Sequence, residues 1–229
     1  MCNLYSMTSN QEAMRRLFRF SRSEVGNLPL FPSVFPAQDA PVVRRAADGE
    51  RELMTMSWGF VLPQDGKAPK RVTNARADKV VQSPFWRSSF HERRCLVPAT
   101  SFAEPKGRKP AIWHWFALKG EDRRPLFAFA GLWRAWRGEL KGELVNLDVM
   151  AILTTTPNDV VKPIHPTRMP VMLDPADHEA WLNGTPDEAL ALARPYPAEK
   201  MRIVFKGDTK DEPGAEPADS AEPSLFADT

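Results

Sequence analysis

The arrangement of apolar runs is what most restricts the fold of this chain. Residues 52–62, 95–104, 111–118, 126–136, 144–156 and 201–205 are rich in Val, Ile, Phe and Trp, and turn residues separate them. Runs of that length and composition read as β-strands. Residues 107–110, 119–125 and 138–142 read as hairpin connections between them. Helical signals are fewer. Residues 9–20 place Met14, Leu17 and Phe18 on one face, and 175–183 and 186–193 begin at Pro175 and Pro186, the latter after a Thr185 cap. Prolines at 29, 32, 36 and 41 predict an extended loop over 27–41. The expected fold class is α+β: a β-rich single domain, an open or barrel-like antiparallel sheet with short peripheral helices.

Composition bears on what surrounds that domain. Hydrophobic residues make up 42% of the 229, with 7 Trp and 13 Phe, enough for a substantial core. No apolar run approaches the roughly 18 residues of a membrane span, and no basic stretch leads into an apolar one at the N-terminus as in a signal peptide. With 2 Cys there is neither a disulfide framework nor metal-ligand spacing, so a reducing cytoplasm is the expected compartment. Charge is unevenly distributed. Residues 207–229 carry seven acids against Lys210 alone, leaving 30 basic and 22 acidic residues in 1–206, a formal +8. A basic body of that kind favours a polyanionic partner, with nucleic acid the first candidate. The segment 207–229 is too poor in apolar residues to offset its ordering entropy and is expected to be a disordered acidic tail. Its apolar pair, within Pro223-Ser224-Leu225-Phe226, stands apart.

Cys2 has chemistry that Cys95 lacks. Once Met1 is removed, its α-amine and thiol sit on neighbouring carbons, and such a 1,2-aminothiol captures an aldehyde as an imine and then closes a thiazolidine ring through sulfur. Both groups titrate near neutrality, at roughly 8 and 8.5, so modest tuning makes either nucleophilic. Other candidates are Asn74-Ala75-Arg76-Ala77-Asp78, the run from Arg93-Arg94-Cys95 to Phe102-Ala103-Glu104, Gly131-Leu132-Trp133, and Ile164-His165-Pro166-Thr167-Arg168-Met169-Pro170. Singly each has a plainer reading: Glu104 as a solvated strand end, His165 as a structural histidine, Arg76 and Arg168 as ion-pair partners, Trp58 and Trp133 as core.

Together and in this order, Met1-Cys2, Trp58-Gly59, Asn74-Ala75-Arg76, Arg-Arg-Cys-Leu-Val-Pro-Ala leading to Phe-x-Glu, Gly-Leu-Trp and His followed by Arg-Met-Pro resemble the SOS response-associated peptidase (SRAP) family. The likeness covers nearly all of 1–206. It implies a protein that exposes Cys2 by autoproteolytic loss of Met1, binds single-stranded DNA and captures the ring-opened aldehyde of an abasic site as a thiazolidine crosslink, with lyase-like reversal. By the same resemblance Cys2, Asn74, Glu104 and His165 are catalytic. Glu104 opens the sugar and assists imine formation, His165 protonates the sugar oxygen, and Asn74 holds the Cys2 amine or the sugar. Arg76 and Arg168 would clamp phosphates, while Trp58 and Pro36 would shape or stack on flanking DNA. No cofactor or metal is expected, and the chain is expected to be a monomer. The tail's Leu-Phe pair is similar to motifs that dock on the bacterial sliding clamp. Three departures from the family pattern bear on DNA contact: Asn3-Leu4 replaces Gly-Arg, Pro105 replaces a Trp wedge, and Pro166-Thr167 replaces a single Asp. Two other readings are an N-terminal-nucleophile amidohydrolase, with Asn74 as oxyanion donor, and a non-catalytic single-strand binding module.

Overall fold

The computed structural model describes residues 2–107 and 110–211. The chain opens with β1 (Tyr5–Met7), α1 (Gln11–Phe18), β2 (Arg22–Ser23), β3 (Phe31–Val34), β4 (Asp39–Arg45) and β5 (Arg51–Trp58). It continues through β6 (Phe60–Gln64), β7 (Lys67–Val72), β8 (Asn74–Arg76), α2 (Arg87–Glu92), β9 (Arg94–Ala99) and β10 (Ser101–Lys106). Then come β11 (Ile112–Leu118), β12 (Phe127–Leu140), β13 (Glu143–Thr155), β14 (Met169–Pro170), β15 (Met172–Leu173), α3 (His178–Asn183), α4 (Pro186–Ala191) and β16 (Met201–Gly207).

The expected β-rich α+β architecture is present as two large packed sheets and a two-stranded β6–β7 ribbon. In the larger one β13, β12, β9, β4 and β5 follow one another, and a parallel pairing of β5 with β13 (Val149↔Ser57, Met150↔Trp58) closes them into a five-stranded barrel. The second sheet has the order β16-β11-β10-β1-β3, so the N-terminal strand lies inside it, between β10 and β3. Successive residues along the barrel strands face two different cores, which explains the unbroken apolar runs. Phe127, Phe129, Met150, Ile152, Cys95 and Val97 face the second sheet. Ala128, Ala130, Val149, Ala151 and Leu96 instead meet Phe18, Phe90 and Trp181 from the helices. Tyr5 of β1 joins the sheets, its ring edge-on to Trp58 (5.0 Å) and to Phe129 (5.8 Å).

Several sequence expectations change here. The run 52–62 breaks at Gly59, whose φ of +115° suits glycine. The run 95–104 breaks at Thr100, where the chain leaves the barrel and enters the other sheet. Residues 119–125 do not join a hairpin, because β11 and β12 belong to different sheets. The β12–β13 turn is tighter than 138–142, with Lys141 and Gly142 both at positive φ between strands that pair as far as Leu140↔Glu143. The predicted loop 27–41 contains β3 and the start of β4. Pro32 sits in β3, an edge strand, and Pro41 sits where β4 has β5 alone beside it, so neither interrupts a two-sided ladder.

The domain also extends past residue 206. Asp211 is buried, its carboxylate bidentate to Arg124 (2.7 and 2.8 Å) and bonded to the Ser101 hydroxyl, while its backbone N–H donates to Pro32 O. An acid assigned to the tail by composition is thus a buried ion-pair partner. The Pro223–Phe226 motif lies outside the described residues. Among the described residues no helix is long and apolar enough to cross a membrane.

Candidate active site

The site begins where β1 begins. Cys2 is 1% exposed, and its Sγ lies 3.7 Å from Leu4 O. Its carbonyl accepts a 2.9 Å hydrogen bond from Asn74 Nδ2. Asn74 arrives on β8, which pairs in parallel with the end of β13 (Asn74↔Ile152). Its Nδ2 also donates to Thr73 Oγ1 (2.8 Å), and Thr73 Oγ1 donates to Asn3 Oδ1 (2.8 Å), so two neighbouring side chains lash residues 2–3 to 73–74. The described contact of Asn74 is therefore to the Cys2 carbonyl, whereas the sequence reading has it hold the amine or the sugar. Trp58 lies beneath. It is fully buried and its Nε1 donates to Thr73 O (3.1 Å), so it supports the strand that carries Asn74 and has no face open to stack on DNA.

Glu104, on β10 beside β1, is fully buried rather than solvated. Burial raises its carboxyl from 4.5 to about 7, which lets it both give and take a proton near neutrality. Burial first, and then the charge of Glu104, drive the Cys2 thiol well above the ordinary thiol range. The sulfur is accordingly protonated at neutral pH and needs a local base before it can attack. Tyr5 is a neighbour that sequence reasoning missed. Its hydroxyl is buried with no hydrogen-bond partner among the described residues, and burial raises its pKa.

His165 and the arginines meet at the far end of β8. The Arg168 backbone N–H donates to His165 Nδ1 (3.1 Å), so the neutral ring carries its proton on Nε2. Burial lowers the pKa of His165, favouring that neutral form. The two residues between His165 and Arg168 form the turn that allows this bond, and Arg168 Nη2 reaches Asp78 Oδ1 (3.0 Å). Arg76 grips the same carboxylate with Nε (3.1 Å) and Nη2 (2.5 Å). Hydrogen bonds from Arg76 and then Arg168 hold the Asp78 carboxyl well below the usual range. Both guanidiniums are thus gathered by Asp78, the acid that closes the motif Asn74-Ala75-Arg76-Ala77-Asp78, and each is an ion-pair partner as its plainer reading has it.

Asn3, Thr73 and Asn74 also line an open groove of about 550 Å³, with Phe35, Pro36 and Trp113 and with Lys70, Arg71 and Val72 of β7. Pro36 therefore lines the same groove as Asn74. Phe35, Trp113, Lys70 and Arg71 were not anticipated. The sequence signal for Trp113 was its place in the apolar run 111–118, which reads as core.

Residues 1–205 match the family model described as SOS response associated peptidase (SRAP), and the chain belongs to that family. Among curated proteins it is 33% identical over 174 residues to the abasic site processing protein YoqW of Bacillus subtilis (strain 168), covering 74% of this chain and 75% of that one. It is 34% identical over 176 residues to the abasic site processing protein YoaM of the same organism, covering 74% of each. Among solved structures, a Bordetella bronchiseptica protein superposes with a TM-score of 0.69 at 25% identity, over 90% of this chain and 98% of that one. A Bacteroides thetaiotaomicron protein gives 0.68 at 25% identity, over 88% and 90%.

Proposed function

We propose that this protein recognises abasic sites in single-stranded DNA and captures them covalently through Cys2 after Met1 is removed. The observation that carries the reading is the convergence on Cys2 of Asn74 from one sheet and Glu104 from the other, the latter titrating at about 7. The names of the curated relatives, abasic site processing proteins, point the same way.

The chemistry follows from these groups. Glu104, with the His165 Nε2–H as a second donor, assists opening of the sugar hemiacetal to the aldehyde. The free α-amine adds to the aldehyde carbon, and protonated Glu104 gives its proton to the departing hydroxyl, so that water leaves and an iminium forms. Glu104, now a carboxylate, takes the thiol proton as Sγ adds to the iminium carbon. The electron pair of the C=N bond moves to nitrogen and the thiazolidine closes, with water as the only product released. Asn74 holds the Cys2 carbonyl and so fixes the direction of amine and sulfur. In this reading Arg76 and Arg168 exchange Asp78 for backbone phosphates, giving salt-dependent binding with little sequence preference. A cytoplasmic location fits this role.

Intact-mass spectrometry under denaturing conditions, after incubation with a single-stranded oligonucleotide bearing one abasic site, tests the reading. The expected species is Met-less protein plus oligonucleotide minus one water, absent in Cys2→Ala. Met-less protein that forms no adduct would overturn the covalent step and favour the amidohydrolase or the plain binding module.

A further inference from the structure

We propose that Trp113 is a stacking platform for a nucleobase next to the lesion, an assignment that rests on the DNA reading above. Trp113 lies on β11 directly opposite Pro105 of β10 on one side and Gly207 of β16 on the other. In a sheet the side chains directly opposite a residue are the ones that pack against it. Here one is a short ring and the other is absent, so neither residue directly opposite covers the indole, and the ring that leans toward the Gly207 position is that of Phe205. The residue stays partly exposed in a sheet whose next same-face neighbour, Trp115, is fully buried.

The indole is nonetheless held in place. With Phe35, Val204 and Phe205 it packs on the small cluster of Leu4, Ala103 and Trp115. A rigid, half-open aromatic loses little entropy when a base is laid on it. Its surroundings fit a nucleic-acid strand. Trp113, Phe35 and Pro36 line the groove together with Lys70 and Arg71. Arg71 is anchored by donating from Nη1 to Gly59 O (2.8 Å), and Asn74, in the same groove, holds Cys2. Aromatic platforms beside cations that follow the backbone are how single strands are bound without sequence preference. The groove thus binds a base and a phosphate within reach of the reactive N-terminus. Pro105, directly after Glu104 and directly opposite Trp113, is the small residue beside the indole on the neighbouring strand.

The test uses the full chain and a single-stranded oligonucleotide with 2-aminopurine beside the abasic position. Stacking on an indole quenches 2-aminopurine, so wild-type protein is expected to quench it on binding. Trp113→Ala and Trp113→Leu should lose that quenching and bind about tenfold more weakly, with an unchanged dependence on salt. Trp113→Phe should restore most of the affinity. Arg76→Ala should instead weaken binding with a shallower salt slope. If Arg76→Ala weakens binding while Trp113→Ala and Trp113→Leu keep full affinity and quenching, the stacking assignment falls and the DNA reading stands. If wild-type protein binds no single-stranded DNA at low salt, both fall.

Discussion

Burial raises the Glu104 carboxyl to about 7, which affects stability as well as proton transfer. The unfolded chain ionises this group near 4.5, so between about 4.5 and 7 the folded protein keeps a proton that the unfolded chain releases. Its contribution to stability therefore falls as pH rises through that window and is lowest above it. Glu104→Gln removes the penalty. It should be more stable than wild type at pH 8, by something of the order of 1–3 kcal/mol, with the difference gone at pH 4; denaturant titrations at the two pH values check this. The same variant should form the DNA adduct much more slowly across the whole pH range, since Gln can neither give nor take the proton. Asn74→Ala should act through orientation alone, slowing capture about tenfold or more without moving its pH profile, as read from single-turnover adduct formation by mass.

At the scale of elements, the barrel depends on glycine where two strands approach closely. Gly131 of β12 faces Cys95 of β9, and a Cβ there would lie 2.7 Å from both Cys95 Sγ and Val97 Cγ2. Both atoms sit in a packed core, so Gly131→Ala should cost about 1–3 kcal/mol, visible as a lower melting temperature with the fold retained. The motif Gly-Leu-Trp is thus a packing requirement at its first position. The strands themselves were legible as apolar runs because residues facing two cores leave no polar alternation. Their ends were not, because the break at Thr100 depends on which sheet receives the next residue. The prolines misled for a related reason: a missing N–H matters only where a strand has a partner on that side, and Pro32 and Pro41 lack one.

For the whole molecule, the decisive contact outside the site is Arg124 with Asp211. Both side chains are almost wholly buried (3% and 2% exposed), so removing one partner strands a charge in the interior. Asp211→Ala, or a chain ending at Lys206, should lose roughly 3–5 kcal/mol and melt on the order of 10 °C lower than a chain ending at Asp211. Equal melting temperatures for all three would show that the segment after β16 adds nothing to the domain. The chain in which to test any role of Pro223–Phe226 is therefore one ending at Asp211, because an earlier end confounds loss of the motif with loss of the fold.

Residue type and order alone supply the chemistry available: a 1,2-aminothiol once Cys2 is freed, an acid after an apolar strand, a basic body, and a family order of motifs spanning the domain. These depend on residue type and order, which folding does not alter. Tertiary structure decided what each group can do. It buried Glu104 and so moved its proton into the useful range, and it turned Trp58 inward as the prop for Thr73. It set Asp78 between Arg76 and Arg168, and left Trp113 partly exposed with Pro105 and Gly207 across from it. Environment, exposure and cross-strand neighbours arise only when distant segments meet, and in this protein Cys2, Asn74 and Glu104 meet only because β1 lies inside a sheet packed against the barrel.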